Sequence, residues 1–265
     1  MSTIVWFHAH PDDEAILTGG SMVLAAEAGH RNVLVVATDG AHGEVPADLR
    51  PGETLVDRRR AETEASAAVL GIDRIVWLGY ADSGMQGWPQ NDHPDAFLRA
   101  DPDEATARLA SVITAEAADV LVTYDWHGGY GHPDHIGVHR IGHLAAGRTG
   151  IGRLFEATMN RDRLRAMMEA AKELRWDPDA ETVDLDTTDD GTPFGTPEAE
   201  LTHEVDVRRV ALRKRDAVSC HASQVTDTSF FRRLDDELFV LAFGHEWFTR
   251  IGIPFGMQPR WLLDD

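Results

Sequence analysis

Apolar, β-branched runs recur along this 265-residue chain, and segments with helical spacing of apolar positions separate them. Ile4 to Phe7 reads as a first strand, Asn32 to Ala37 as a second, Arg74 to Gly79 as a third and Asp119 to Tyr124 as a fourth. Arg153 to Met159 reads as a weaker fifth. Ala15 to Ala28 has helix composition, Leu55 to Leu70 stops at Gly71, and Glu104 to Glu116 is a further helix. Strand and helix in alternation imply right-handed crossovers and a parallel sheet. The expected fold class is therefore α/β, a Rossmann-like, mostly parallel sheet with helices on both faces and C-terminal elements packed on it. Those elements are a helix over Val205 to Val218, an apolar segment Leu238 to Phe243, and an aromatic tail with Trp247, Phe248, Phe255 and Trp261. A single domain over 1–265 is expected, with its core in 1–145 and 201–250 and a variable segment at about 146–200.

Composition narrows the partners. A formal charge of −20 repels phosphate backbones and anionic lipid, so nucleic-acid and membrane-surface roles are disfavoured. No apolar run reaches the length of a membrane span, and the N-terminus lacks a charged segment followed by an apolar one. The single Cys220 excludes an intramolecular disulfide and suits a reducing compartment. A cytoplasmic protein is expected, with homo-oligomerisation left open.

The chemistry concentrates where the first strand meets its helix, at His8-Ala9-His10-Pro11-Asp12-Asp13-Glu14. In an open α/β sheet that turn lies at the carboxyl end of a strand, where ligands collect. His10 and Asp13 can converge on one cation across such a turn, and a second histidine from elsewhere would complete three protein ligands, the catalytic pattern for zinc. Asp12 would then be free to take a proton from water. The plain alternative is that the acids cap a helix and complement its dipole. Tyr130-Gly131-His132-Pro133-Asp134-His135 repeats the theme after the fourth strand. If the fourth strand lies beside the first, the two turns flank the switch point of the sheet and His135 can supply the third ligand.

The two motifs together resemble the LmbE-like (PIG-L) family of zinc-dependent N-deacetylases. Arg59 and Glu62 ahead of Leu70-Gly71, Asp82-Ser83-Gly84-Met85 after the third strand, and His221-Ala222-Ser223-Gln224 after a late helix add to the likeness. It covers residues 4–145 and returns in 208–248, nearest to the branch that acts on N-acetylglucosaminyl inositol in the mycothiol pathway. The related conjugate amidases typically carry proline where this chain has Gly131. The resemblance implies hydrolysis of an N-acetyl group from a small N-acetylated amino sugar, with one Zn2+ per chain on His10, Asp13 and His135. The same donors also suit ferrous iron. It further implies Asp12 as general base and His132 as the electrophilic or acidic partner. Tyr130 could help His132 stabilise an oxyanion, and Asp134 would orient His132 and raise its pKa. Arg59, Asp82 and Met85 look like groups that hold the sugar and what is attached to it, with 146–200 helping to shape the pocket. The rival readings are an amidase cleaving a larger amide, such as a mycothiol S-conjugate, and a catalytically idle sugar-binding relative.

Other patterns read as inert. No G-x-G-x-x-G follows the first strand, so a nucleotide cofactor is not expected. Asp184, Asp186 and Asp189 lack the glycine of a calcium loop and read as solvated loop. His139 and His143 follow His135 at helical spacing and read as ordinary helix-face histidines. Cys220 beside His221 reads as an inert cysteine rather than a thiol dyad. His245-Glu246 fails the zincin pattern because Thr249 stands where the second histidine is needed. His8 reads as structural.

Overall fold

The computed structural model describes residues 1–173, 184–188, 191–226 and 230–264. The acidic stretch at 177–183 and Asp189 lie outside the described residues. In chain order the elements are β1 (Thr3–His8), α1 (Asp13–Leu17), α2 (Gly19–Glu27), β2 (Arg31–Thr38), α3 (Leu55–Leu70), β3 (Arg74–Tyr80), α4 (Pro102–Ala115) and β4 (Val120–Tyr124). Then follow α5 (Pro133–Thr149), β5 (Arg153–Thr158), α6 (Arg161–Glu173), β6 (His203–Asp206), α7 (Ala211–Cys220), α8 (Phe230–Arg233), α9 (Asp236–Phe243), β7 (His245–Arg250) and β8 (Gln258–Pro259).

Among the described residues the strands form one sheet in the order β3-β2-β1-β4-β5-β7-β6-β8. The first five are parallel to one another, and β7 runs antiparallel to β5 and β6. Strand β1 shows why the sheet sits in the middle of the molecule. Ile4 and Trp6 join the apolar cluster on one face and Val5 and Phe7 the cluster on the other, all fully buried. A strand apolar on both faces needs helices on both, as a parallel sheet requires. Helix α3 begins with a reciprocal cap between Thr54 and Asp57 and ends at Gly71 with φ 75°, a left-handed value that favours glycine.

Three elements differ from expectation. The helix read over Ala15 to Ala28 is two helices, broken at Thr18. The Glu246 carboxylate accepts the N–H groups of Gly20 and Ser21, each at 2.8 Å, and so caps a new helix start where a continuous helix would use those donors internally. Val205 and Asp206, expected to open a helix, end strand β6 instead, because His203 and Val205 alternate inward and pair with β7. The helix begins only at Ala211. Within the aromatic tail Trp247 and Phe248 lie in β7 and extend the sheet, whereas Phe255 is exposed rather than packed on it. Strand β5 sits in the middle of the sheet, so part of the segment expected to be variable belongs to the core.

Candidate active site

Strand β1 pairs directly with β4, from Ile4 opposite Val120 to Trp6 opposite Val122. The two histidine-rich turns therefore leave the sheet side by side at its switch point. The first delivers His10, Asp12 and Asp13, and the second delivers His132, Asp134 and His135.

Hydrogen bonds assign the lone pairs. His135 Nδ1 lies 3.0 Å from the Gly128 carbonyl, so that nitrogen carries the proton and Nε2 offers the lone pair. Nε2 is buried, makes no hydrogen bond, and lies 3.4 Å from Asp13 Oδ2. His10 Nε2 meets Asp134 Oδ2 at 3.1 Å, which leaves Nδ1 facing Asp13 Oδ2 at 3.4 Å. Ligand atoms of a tetrahedral zinc site stand about 3.4 Å apart, from bond lengths of about 2.0–2.2 Å. Two imidazole lone pairs converging on one carboxylate oxygen at that spacing fit a divalent transition metal. Gly128 is required here. It has φ 65°, and a Cβ on it would come within 2.1 Å of the His135 Cβ.

His132 also approaches the centre, and one ring nitrogen from each of His10, His132 and His135 lies within 4.8 Å of the others. Its Nδ1, however, accepts the Asp134 backbone N–H at 3.1 Å, so neutral His132 carries its proton on Nε2. In that tautomer Nε2 is a hydrogen-bond donor. Here the structure corrects an expectation. Asp134 orients His132 through its backbone N–H alone; its carboxylate raises the His132 pKa only at a distance and bonds His10, the Ser83 backbone N–H at 2.9 Å and the Ser83 hydroxyl. Burial, together with the charge of His10, holds the His132 pKa down at about 3. Burial disfavours charge on His10 as well, but Asp13 and Asp134 outweigh it and carry His10 well above the usual range. Burial likewise opposes ionisation of Asp13, yet His135 and His10 hold its carboxyl well below the usual range.

Asp12 caps α1 with φ 101°, a value that non-glycine residues rarely adopt. Its backbone N–H is held by Glu14 Oε2 at 2.9 Å. Glu14 Oε1 in turn accepts from the Ser66 hydroxyl and pairs with His221 Nε2, both at 2.7 Å and both wholly buried. Burial opposes the charge on His221, but Glu14 outweighs it and lifts the imidazole above its ordinary range. The Asp12 carboxylate bonds Arg59 Nη2 at 3.0 Å. Burial lifts its pKa to about 6, with Arg59 pulling the other way.

Arg59 departs from its expected contact with substrate. It is 4% exposed, and its guanidinium bonds Asp12, the Gly40 carbonyl at 2.8 Å and the Pro11 carbonyl. Asp82 is also buried and braces loops, accepting from the N–H groups of His42 and Gly84, while its Oδ1 lies 3.7 Å from His10 Nε2. Met85 is partly exposed, on the same loop. Tyr130 is partly exposed, with its ring centroid 5.0 Å from that of His135, and burial beside Asp13 and Asp12 raises its phenol.

The His221-Ala222-Ser223-Gln224 segment has three separate attachments. Ser223 donates twice to Glu62, and Gln224 exchanges two 3.0 Å bonds with the backbone of Glu44. His8 is structural, as expected. It bridges Tyr124 and Thr18, and burial holds its pKa down at about 4.

The two turns thus bring imidazole and carboxylate donors together at the switch point, with the Asp12 carboxylate held by Arg59 alongside, and comparisons with known proteins give the class of reaction. Residues 5–146 match the family described as PIG-L: GlcNAc-PI de-N-acetylase. A 1D-myo-inositol 2-acetamido-2-deoxy-alpha-D-glucopyranoside deacetylase of Acidothermus cellulolyticus is 37% identical over 258 residues, spanning 93% of this chain and 87% of the relative. The N,N'-diacetylchitobiose deacetylase of Pyrococcus horikoshii is similar in fold, with a TM-score of 0.60 and 20% identity over 94% of this chain and 84% of that one. A 4-carboxy-2-hydroxymuconate hydratase of Pseudomonas putida shares the fold as well, at TM-score 0.59 and 20% identity over 98% of this chain and 100% of that one. The fold alone therefore does not choose the reaction. The chain belongs to the PIG-L family of de-N-acetylases, and it is a hydrolytic N-deacetylase.

Proposed function

We propose that this protein removes the acetyl group from an N-acetylglucosaminyl inositol with the help of one Zn2+ held by His10 Nδ1, Asp13 Oδ2 and His135 Nε2. The observation that carries the reading is the single Asp13 oxygen lying 3.4 Å from His10 Nδ1 and from His135 Nε2, with the neighbouring Asp12 carboxylate held by Arg59 instead. The substrate comes from the names of relatives such as the deacetylase of Acidothermus cellulolyticus. Zinc, when bound, supplies a Lewis acid that polarises an amide carbonyl and eases ionisation of a water molecule.

The chain's own groups do the rest. Asp12, with its pKa near neutrality, takes the proton of the attacking water and later gives it to the departing amine. His132 Nε2–H and the Tyr130 hydroxyl donate to the oxygen that becomes negative, a contribution of roughly 3 kcal/mol per donor. Asp134 holds His10 in the tautomer that leaves Nδ1 free. Arg59 positions Asp12 and Asp82 braces the loops, while Met85 faces the sugar. The conjugate-amidase reading is less favoured on backbone grounds. Gly131 has φ 88°, whereas a proline there would need φ near about −65°. The described residues hold no helix long and apolar enough to cross a membrane.

The test is acetate release from N-acetylglucosaminyl inositol and from free N-acetylglucosamine, with chelated and zinc-restored protein. Release is expected to be much faster from the inositol compound and lost on chelation. Asp12→Ala should abolish turnover while keeping the metal, and His135→Ala should lose both. Full turnover by Asp12→Ala, or release unaffected by chelation, would overturn the mechanism. Equal rates on the two substrates would overturn the inositol assignment alone.

A further inference from the structure

Helix α5 carries histidine at three successive turns, His135, His139 and His143. The first points into the active site, and the other two meet a third group that their spacing along the helix could not reveal. Glu156, on the neighbouring β5, places Oε1 2.7 Å from His143 Nε2 and 3.2 Å from His139 Nδ1. One donor atom from each of the three residues lies within 4.8 Å of the others.

The side chains are partly open, with 22%, 32% and 13% of His139, His143 and Glu156 accessible, so an ion can arrive from solvent and keep water ligands. His139 Nδ1 also donates to the Tyr124 carbonyl at 3.1 Å, which fixes the ring against the end of β4, so an ion taking that nitrogen displaces its proton. Two imidazoles four residues apart on a helix, closed by a carboxylate from another element, form a donor set that zinc and its neighbours in the transition series accept. Magnesium and calcium prefer oxygen-only sites. The formal charge of −20 further favours a cation over an anion here.

We propose that His139, His143 and Glu156 form a second site for a divalent transition metal such as Zn2+, separate from the catalytic centre and tying α5 to β5. The contact distances suit entry of an ion after a small outward movement of the side chains. The site needs no residue of the catalytic centre, so it stands or falls independently of the proposed reaction.

The test uses untagged full-length protein and Zn2+ itself, with bound metal counted by elemental analysis after dialysis and affinity measured by calorimetry. Wild type is expected to bind two equivalents, and His135→Ala one. His143→Ala and Glu156→Gln are each expected to bind one while retaining acetate release. The His135→Ala/His143→Ala pair should bind none. Glu156→Gln keeps the size and hydrogen bonding of the side chain, which guards against a result caused by misfolding. A wild type that binds one equivalent, or a count that His143→Ala and Glu156→Gln leave unchanged, would overturn the proposal. In that case the cluster is only an imidazole–carboxylate hydrogen-bond group.

Discussion

Glu14 holds the backbone N–H of Asp12 at 2.9 Å, and it does so while Asp12 keeps a φ of 101°. That conformation costs on the order of 1–3 kcal/mol, and a hydrogen bond to a charged acceptor returns about 1.5–3 kcal/mol. Adjacent residues Asp12 and Asp13 can thereby face different duties. Glu14→Ala should lower kcat by roughly 10–100-fold, a loss on the order of 1.4–2.7 kcal/mol, with KM and zinc content nearly unchanged. Steady-state kinetics alongside metal analysis check this. A large change in KM with kcat intact would show that Glu14 shapes the pocket instead.

The acid side of the pH profile should report Asp12. The base must be ionised, so kcat/KM falls as pH drops through its pKa, which is about 6 without a cation. Bound metal pulls the same carboxyl lower, placing the limb of the loaded enzyme at or below that value. Because Arg59 pulls the Asp12 pKa down, Arg59→Met should move the limb to higher pH than in the intact enzyme. A limb that stays in place, or moves to lower pH, would contradict the assignment.

Asp134 bonds a candidate metal ligand rather than the oxyanion donor, and this separates two outcomes. Asp134→Asn should weaken zinc binding by about 10–100-fold, the usual effect of losing a carboxylate behind a ligating histidine. His132→Ala should instead keep its zinc and lose about 100–1,000-fold in kcat. Competition titrations with a zinc chelator distinguish the two variants. The same zinc affinity in Asp134→Asn and wild type would remove Asp134 from that role.

Far from the centre, Lys214 Nζ meets Glu246 Oε1 at 2.7 Å, and both are buried. Lys214→Met leaves the carboxylate without its cation and should cost about 3–5 kcal/mol. The melting temperature should fall by on the order of 10 °C. Urea denaturation of Lys214→Met and of Lys214→Met/Glu246→Gln checks the cause, since removing the stranded charge should recover part of the loss. Equal stability of the single variant and wild type would show that water reaches the pair.

Local chemistry explains which features could be read from sequence. Helix α3 was legible to the residue because its cap at Thr54 and its stop at Gly71 are both within a few positions of its ends. The two motifs at the ends of β1 and β4 were legible because residue types and spacing carry the chemistry, whereas the strand pairing behind them was only a condition in the sequence and came from the fold. The break at Thr18 was not legible, since its cause is a carboxylate 226 residues from Gly20. The turn to Asp134 was misread for a similar reason. Its partner His10 is 124 residues away, while His132 is two residues away and looked closer. His221 appeared as part of a pattern, but its pairing with Glu14 across 207 residues needed the fold.

The β1–β4 seam has a consequence for how the protein matures. His10 and Asp13 precede His135 by more than a hundred residues, so a nascent chain that has not yet reached His135 lacks the third donor proposed for the metal. The posture of Asp12 is secured later still, once residue 221 has arrived to hold Glu14 from behind. The donors proposed for the metal and the support behind Asp12 thus come from parts of the chain made at different times, His135 before His221.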